Sequence, residues 1–251
     1  MQLVLSLFPG IDLLGLAFKR EGFCVVQGGD VIFGGDIRTE HYPAGKFEGI
    51  IGGPPCQAFS SLSHMVRHNG HEPKFGNLIP EFERVVSEAR PQWFIMEEVP
   101  QAPVPRVDGY DVYAFTLNNR QCIDEQGKPA TQNRVRRISW GWRGKYRPQL
   151  AIDVGLWESE QFANAAIGGS NQGTRKIKNV RNGRTSTTMP FNSKSTAALR
   201  EVCRKQGLPE DALKDAPWTV SGKCKAVGNG VPLPMGRAIA KAVMEATEGG
   251  K

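Results

Sequence analysis

Apolar residues run together over residues 2–8, stop at Pro9-Gly10, and then recur at helical spacing over 11–20. A short unbroken apolar run closed by a Pro-Gly turn reads as a buried strand, and the spacing of three and four that follows reads as a helix packed on it. The same pattern predicts strands at 23–26, 48–51 and 93–96, with a helix at 78–90 between the last two. Strands that alternate with helical stretches imply an α/β fold with a mostly parallel sheet, whose ligands gather at the carboxyl ends of the strands. Two later strands are expected at 112–117 and 134–142, the second alternating Val135, Ile138 and Trp140 with arginines.

The pattern changes at residue 148. From there to 196 the chain is rich in Gly, Asn, Ser, Thr, Arg and Lys, and its apolar periodicity is weak. Helical spacing returns at 196–205 and 234–246, on either side of a turn-like stretch at 225–231, and the last helix is expected beside the first strand. The chain of 251 residues suits one core with a small insertion and is too short for two full domains. The division that follows is a core of 1–147 completed by 197–251, with 148–196 inserted between.

Composition narrows the partners only a little. Lys and Arg number 32 against 25 Asp and Glu, a net charge of +7 that suits an acidic polymer without selecting one. The five cysteines are scattered, odd in number and without a C-x-x-C pair, which argues against a disulfide framework or a zinc ribbon and fits a reducing compartment. The apolar start carries no cationic leader and falls far short of the roughly 18 residues of a membrane span. A cytoplasmic protein with no membrane partner is expected.

The segment Gly52-Gly53-Pro54-Pro55-Cys56-Gln57-Ala58-Phe59-Ser60 sets a cysteine on a rigid turn directly after a buried strand. A thiol there stands at a sheet edge with a fixed approach, as a nucleophile requires. Taken alone, it reads equally as a buried inert cysteine. Two companions change that reading. Phe94-Ile95-Met96-Glu97-Glu98-Val99-Pro100 ends the neighbouring strand on a carboxylate, and Gln132-Asn133-Arg134-Val135-Arg136 puts two guanidiniums on one face of a third. His64, His68 and His71 follow the cysteine, but no cysteine or carboxylate pair completes a zinc set, so no metal is expected.

These motifs, with Leu5-Ser6-Leu7-Phe8-Pro9-Gly10-Ile11, Gln206-Gly207-Leu208-Pro209 and Val227-Gly228-Asn229-Gly230-Val231, stand in the order of the cytosine-5 DNA methyltransferase family, which the chain resembles over about 200 residues. The resemblance implies a Rossmann-like class I methyltransferase core, S-adenosylmethionine as methyl donor with S-adenosylhomocysteine as product, and double-stranded DNA as substrate of a monomer. It assigns Cys56 to attack carbon 6 of a flipped cytosine, Glu97 to ring nitrogen N3, Arg136 to O2, Arg134 to the thiol side and Gln132 to bracing the arginines. For the cofactor it implies Phe8 and Ile37 around the adenine, Gly10 and Ile11 at the methionine end, and Asp36 on the adenine amino group. Pro55, Leu78, Asn229 and Val231 line further positions, and Asp30 is the choice for the ribose hydroxyls.

The resemblance also makes the stretch 61–74 a loop that closes over DNA, with Ser60 and Arg67 among its contacts. The insertion becomes a target-recognition region through Arg175, Lys176, Lys178, Arg181 and Arg184, a mixture suited to phosphate and base edges. At about 50 residues it presents few base contacts, so a short target is expected. Three departures stand out. The stretch between Val26 and Asp36 has room only for a Gly-rich loop where the family has a helix; Asp12 replaces a glycine; and Glu98 replaces an asparagine, so that it either raises its neighbour's pKa or faces away. RNA as the substrate of the same core, and a decayed DNA-binding protein without activity, are the alternatives.

Overall fold

The structure is a computed structural model that describes residues 1–55, 59, 76–155 and 195–248, together with the backbone of five short strands between 163 and 190. In chain order the core contains β1 (Leu3–Leu7), α1 (Leu13–Arg20), β2 (Cys24–Gln27), a 3-10 turn at Val31–Phe33, β3 (Gly49–Gly52), α2 (Ile79–Ala89) and β4 (Trp93–Glu98). After it come β5 (Tyr110–Asn118), β6 (Gln132–Asn133) and β7 (Val135–Arg143). The insertion carries β8 (Ala163–Asn164), β9 (Thr174–Arg175), β10 (Asn179–Arg181), β11 (Arg184–Ser186) and β12 (Met189–Pro190). Three helices complete the chain, α3 (Thr196–Lys205), α4 (Val220–Asn229) and α5 (Leu233–Glu248).

The main sheet has the order β2-β1-β3-β4-β7-β5. β2, β1, β3 and β4 are parallel, whereas β7 runs antiparallel between β4 and β5. The expected mostly parallel α/β sheet is therefore present, and its single reversed strand decides where the arginines go. Because β7 is reversed, its first residues lie beside the last residues of β4, at the same edge of the sheet.

Both faces of the sheet are covered, which is why β1, β3 and β4 are nearly continuous apolar runs. On one face Val4, Trp93, Ile95, Ile138 and Trp140 meet Leu14 and Phe18 of α1 and Met235, Ile239 and Val243 of α5, so the last helix does pack back beside the first strand. On the other, Leu5, Leu7, Ile50, Phe94 and Met96 meet Phe82, Val85, Val86 and Ala89 of α2. The α2 positions follow the helical spacing, and Pro80 in its first turn needs no donor there. A third cluster joins α3 to α4 through Ala198, Leu199, Val202, Cys224 and Val227, with Ile11 against it.

Two features depart from the sequence reading. The stretch expected as a turn at 225–231 is helical to Asn229, and only the residues after it turn; Cys224 and Val227 form its buried stripe. Val135 is 40% exposed and out of phase with buried Ile138 and Trp140, so it is Arg136 that shares their face. The 28–47 stretch, by contrast, has no helix beyond the 3-10 turn and no strand, as its length requires. A doubly wound sheet ordered 3-2-1-4-5-6 has one more strand outside the second. Here β2 is the edge, and Cys24 and Val26 are exposed on it.

Candidate active site at the carboxyl edge of the sheet

From β1 the chain passes to β2 on one side and then returns to β3 on the other, so the crevice between the carboxyl ends of β1 and β3 is the topological switch point where such sheets bind ligands. Across that edge the strands stand in the order β1, β3, β4, β7, about 4.8 Å apart. The first motif follows β1, the Pro-Pro-Cys-Gln segment comes after β3 in the sequence, Glu97 is the last residue but one of β4, and Arg136 is the second of β7.

The turn after β1 is held in an unusual backbone. Phe8, Gly10 and Asp12 all have φ between 53° and 55°, in the left-handed region that non-glycine residues adopt at a cost of about 1–2 kcal/mol. Asp12 is the residue that compensates. Its buried carboxylate accepts from Ser6 Oγ at 2.7 Å, Gln27 Nε2 at 2.9 Å and Gly15 N at 3.0 Å, which fastens β1 and β2 to the first turn of α1. This accounts for an aspartate where the resembled family has glycine.

Asp30 is also drawn to this turn. Its carboxylate accepts from Gly10 N and from Ile32 N, both at 2.9 Å. Phe8, Ile37 and Leu78 are packed against the α2-side cluster at the same edge, whereas Ile11 faces the α3–α4 cluster. Asp36 lies in an exposed bidentate pair with Arg38, at 2.9 Å and 2.6 Å, and the hydrogen bonds from Arg38 lower its pKa to about 2. The sequence reading missed Arg84. From α2 its Nη2 donates to Ile37 O at 2.6 Å and Glu40 O at 3.1 Å, with Glu81 and Glu88 holding the guanidinium, so that the Ile37 segment is fixed to the helix. Val31, Ile32 and Phe33 are exposed above the Gly10 turn, with Phe33 6.4 Å from the Trp218 ring.

At the other end of the edge, Arg136 Nε lies 2.8 Å from Glu97 Oε1, with both side chains largely buried. Gly53, three residues before Cys56, allows this carboxylate in, since a Cβ there would sit 3.0 Å from Glu97 Oε2. Cys56 itself lies outside the described residues, as do Ser60, Arg67, the three histidines of 61–74, Lys176 and Lys178. Pro54 before the cysteine is buried and Phe59 after it packs on the α2-side cluster, so its flanks are tied to the core. Among the described residues no group of three or more His, Cys, Asp and Glu gathers in a metal-binding arrangement.

Alternation along β4 sends Glu97 to the α1–α5 face and Glu98 to the α2 face. Glu98 accepts from Val99 N at 2.7 Å, and burial pushes its pKa up to about 8, with a smaller contribution from the charge of Glu97 and an opposing one from the Val99 N–H. Arg137, its cross-strand partner, donates instead to Pro100 O and Ala102 O and holds the loop after β4. Gln132 and Arg134 are buried and bond to α3 and α4 residues, with Gln132 Nε2 reaching Lys205 O at 2.6 Å and Arg134 Nη1 reaching Gly228 O at 3.1 Å. Asn229 is exposed and Val231 buried at the end of α4.

Residues 31–106, which include the Pro-Pro-Cys-Gln segment, Ile37, Leu78 and Glu97 but neither the Gly10 turn nor Arg136, match the family model of the C-5 cytosine-specific DNA methylases. This stretch of the chain is thus similar to the cytosine-5 methylase family. Among its curated relatives, the type II methyltransferase M.FnuDI of Fusobacterium nucleatum is 32% identical over 114 residues, covering 38% of this chain and 32% of the relative. The type II methyltransferase M1.HphI of Haemophilus parahaemolyticus is 36% identical over 118 residues, covering 38% and 32%. The match thus spans about a third of the length of these relatives. Among solved structures, DNMT2 of Spodoptera frugiperda has a TM-score of 0.63 at 13% identity, covering 98% of this chain and all of that one, which supports the methylase fold.

Proposed function

We propose that this chain is a DNA (cytosine-5-)-methyltransferase acting on a cytosine turned out of the duplex. The observation that carries the reading is the Glu97–Arg136 pair set against Gly53 of the nucleophile turn. In cytosine N3 and O2 are neighbouring acceptors on one edge, and a carboxyl beside a guanidinium presents a proton to the first and a donor to the second. Cys56, four residues after the end of β3, the next strand along, is then the nucleophile for carbon 6. A thiol in the plane of a stacked base has no approach to that atom, so the base must leave the stack.

The thiolate of Cys56 forms a bond to carbon 6, the ring electrons shift, and Glu97 gives N3 the proton that neutralises them. Carbon 5 is thereby made nucleophilic. The glycine turn at Gly10, the apolar wall of Phe8, Ile37 and Leu78, and the carboxylate of Asp30 fit S-adenosylmethionine, and Asp36, Pro55, Ile11, Asn229 and Val231 are assigned to the same pocket. Bound there, S-adenosylmethionine supplies the methyl group. Loss of the carbon 5 proton and expulsion of the cysteine then restore the ring. Gln132 braces the arginines and Arg134 is assigned to the thiol side, both bonded to α3 and α4 residues. Residues 148–196 are the recognition region, where β10 pairs antiparallel with β11 and β9 with β12; Arg175 is on β9, Arg181 on β10 and Arg184 on β11.

Fluorine at carbon 5 tests this sequence of steps, because it cannot leave as a cation and so halts the reaction after methyl transfer. DNA with 5-fluorocytosine in place of cytosine, incubated with the protein and S-adenosylmethionine, is expected to give a species that survives denaturing electrophoresis and maps to the Cys56 peptide; Cys56→Ser is expected to give none. Methylation of ordinary DNA without a trapped complex, or trapping through another cysteine, would overturn the mechanism. Methyl transfer to structured RNA and not to duplex DNA would overturn the substrate.

A further inference from the structure

The carboxyl end of a helix leaves carbonyls that its own backbone does not satisfy. At α4 they are taken by side chains from elsewhere. Gln206 Nε2 donates to Val227 O at 2.7 Å and to Gly230 O at 2.9 Å, and Arg134 Nη1 donates to Gly228 O at 3.1 Å. An amide NH2 has two hydrogens, so this fully buried group is fully used. Its Oε1 accepts from Gln132 Nε2 at 3.1 Å, and its main-chain carbonyl accepts from Leu233 N at 2.9 Å, the first residue of α5. One residue therefore grips both sides of the turn at 229–231. Gln132 and Arg134, which share the network, lead directly into Arg136 and so to Glu97.

We propose that Gln206 is a positioning residue that holds the 229–231 turn in register with the Glu97–Arg136 pair, so that affinity for S-adenosylmethionine depends on a side chain that does not touch it. The proposal rests on the functional reading above, in which that turn lines the cofactor. The fold does not depend on this amide alone. The cluster of Ala198, Leu199, Val202, Cys224 and Val227 keeps α3 and α4 together without it. Loss of the amide therefore loosens the turn, whose Asn229 is exposed, while the helices stay packed.

The experiment is calorimetric titration of the full chain with S-adenosylhomocysteine, which needs neither DNA nor turnover. Failure of the wild type to bind S-adenosylhomocysteine or S-adenosylmethionine would refute the functional reading itself. With wild-type binding established, Gln206→Met, similar in shape but without the amide, is expected to weaken binding at least tenfold with the number of sites per chain unchanged. On plasmid DNA it is expected to raise KM for S-adenosylmethionine by a similar factor and to keep kcat within about twofold. A Kd within threefold of wild type, or a loss of sites with Kd unchanged as a purely structural role gives, would overturn the proposal. Gln206→Asn withdraws the same amide by one methylene and is held to the same threshold should the Met variant fail to fold.

Discussion

Glu98 shows how much a single position on a strand decides. Glu97 and Glu98 are adjacent in sequence and lie on opposite faces of β4, one paired with Arg136 and the other buried against the α2 side. The folded chain keeps a proton on Glu98 up to about pH 8, whereas the unfolded chain releases it near the ordinary value of 4.5. Below pH 4.5 both states are protonated and burial of the acid carries no penalty. Between 4.5 and 8 the unfolded state binds fewer protons, so stability falls as pH rises; above 8 both states are ionised and the loss is constant. Glu98→Gln does not ionise, so its stability relative to wild type is expected to grow from pH 5 to pH 8 and then level off, as read from urea midpoints at pH 5, 7 and 9. A constant gap would show that Glu98 is already ionised in the folded chain. At this scale the unbroken apolar run Trp93-Phe94-Ile95-Met96 made a strand buried on both faces legible in the sequence, but not which face each glutamate takes. Burial of the thiols was not. Cys122 is pushed up to about 12 and Cys203 to about 11 by desolvation, which marks them as inert and which no spacing of cysteines reveals.

At the scale of elements, the sequence pattern placed β1, α1, β3, α2 and β4 because each is a long apolar run or a clean helical stripe. It missed most of α4, whose Gly222 and Gly228 with Ser221, Lys223, Lys225 and Asn229 dilute the stripe to Cys224 and Val227. It also left the direction of β7 open, since strand polarity is set by neighbours and not by the residues of the strand. That direction matters most for the site, because only a reversed strand brings Arg136 to Glu97. The Asp12 turn was legible only as an anomaly. Its three hydrogen bonds predict that Asp12→Ala destabilises the chain by about 2 kcal/mol, the upper range for a lost helix cap. Asp12→Gly loses the same bonds but relieves the φ of 55°, a saving of about 1 kcal/mol, and is expected to be the milder change in thermal melting. Equal losses for the two would mean that the left-handed backbone carries no strain.

For the whole molecule, the sheet and the charge divide the work. Among the described residues the core is reduced at one edge, where β2 has no outer neighbour, and its carboxyl edge presents the Gly10 turn at β1 and the Glu97–Arg136 pair at β4 and β7. The net charge of +7 has a visible concentration in the insertion, where Arg175, Lys176, Lys178, Arg181 and Arg184 fall within ten residues. Such a cluster in contact with phosphate releases counterions when DNA binds, and each contact steepens the dependence of affinity on salt by a slope of about 0.9. Replacing Arg175, Lys176 and Lys178 with Gln is therefore expected to weaken duplex binding and to flatten the plot of log affinity against log salt by up to about 3. Affinity for S-adenosylhomocysteine is expected to stay unchanged, because the residues proposed for the cofactor lie outside the insertion, around β1 and α4. Binding isotherms at several salt concentrations check both halves of the expectation. An unaltered slope would detach the basic cluster from phosphate and move recognition to the stretch that follows Cys56, whereas a flattened slope with intact cofactor binding would separate the two tasks between insertion and core.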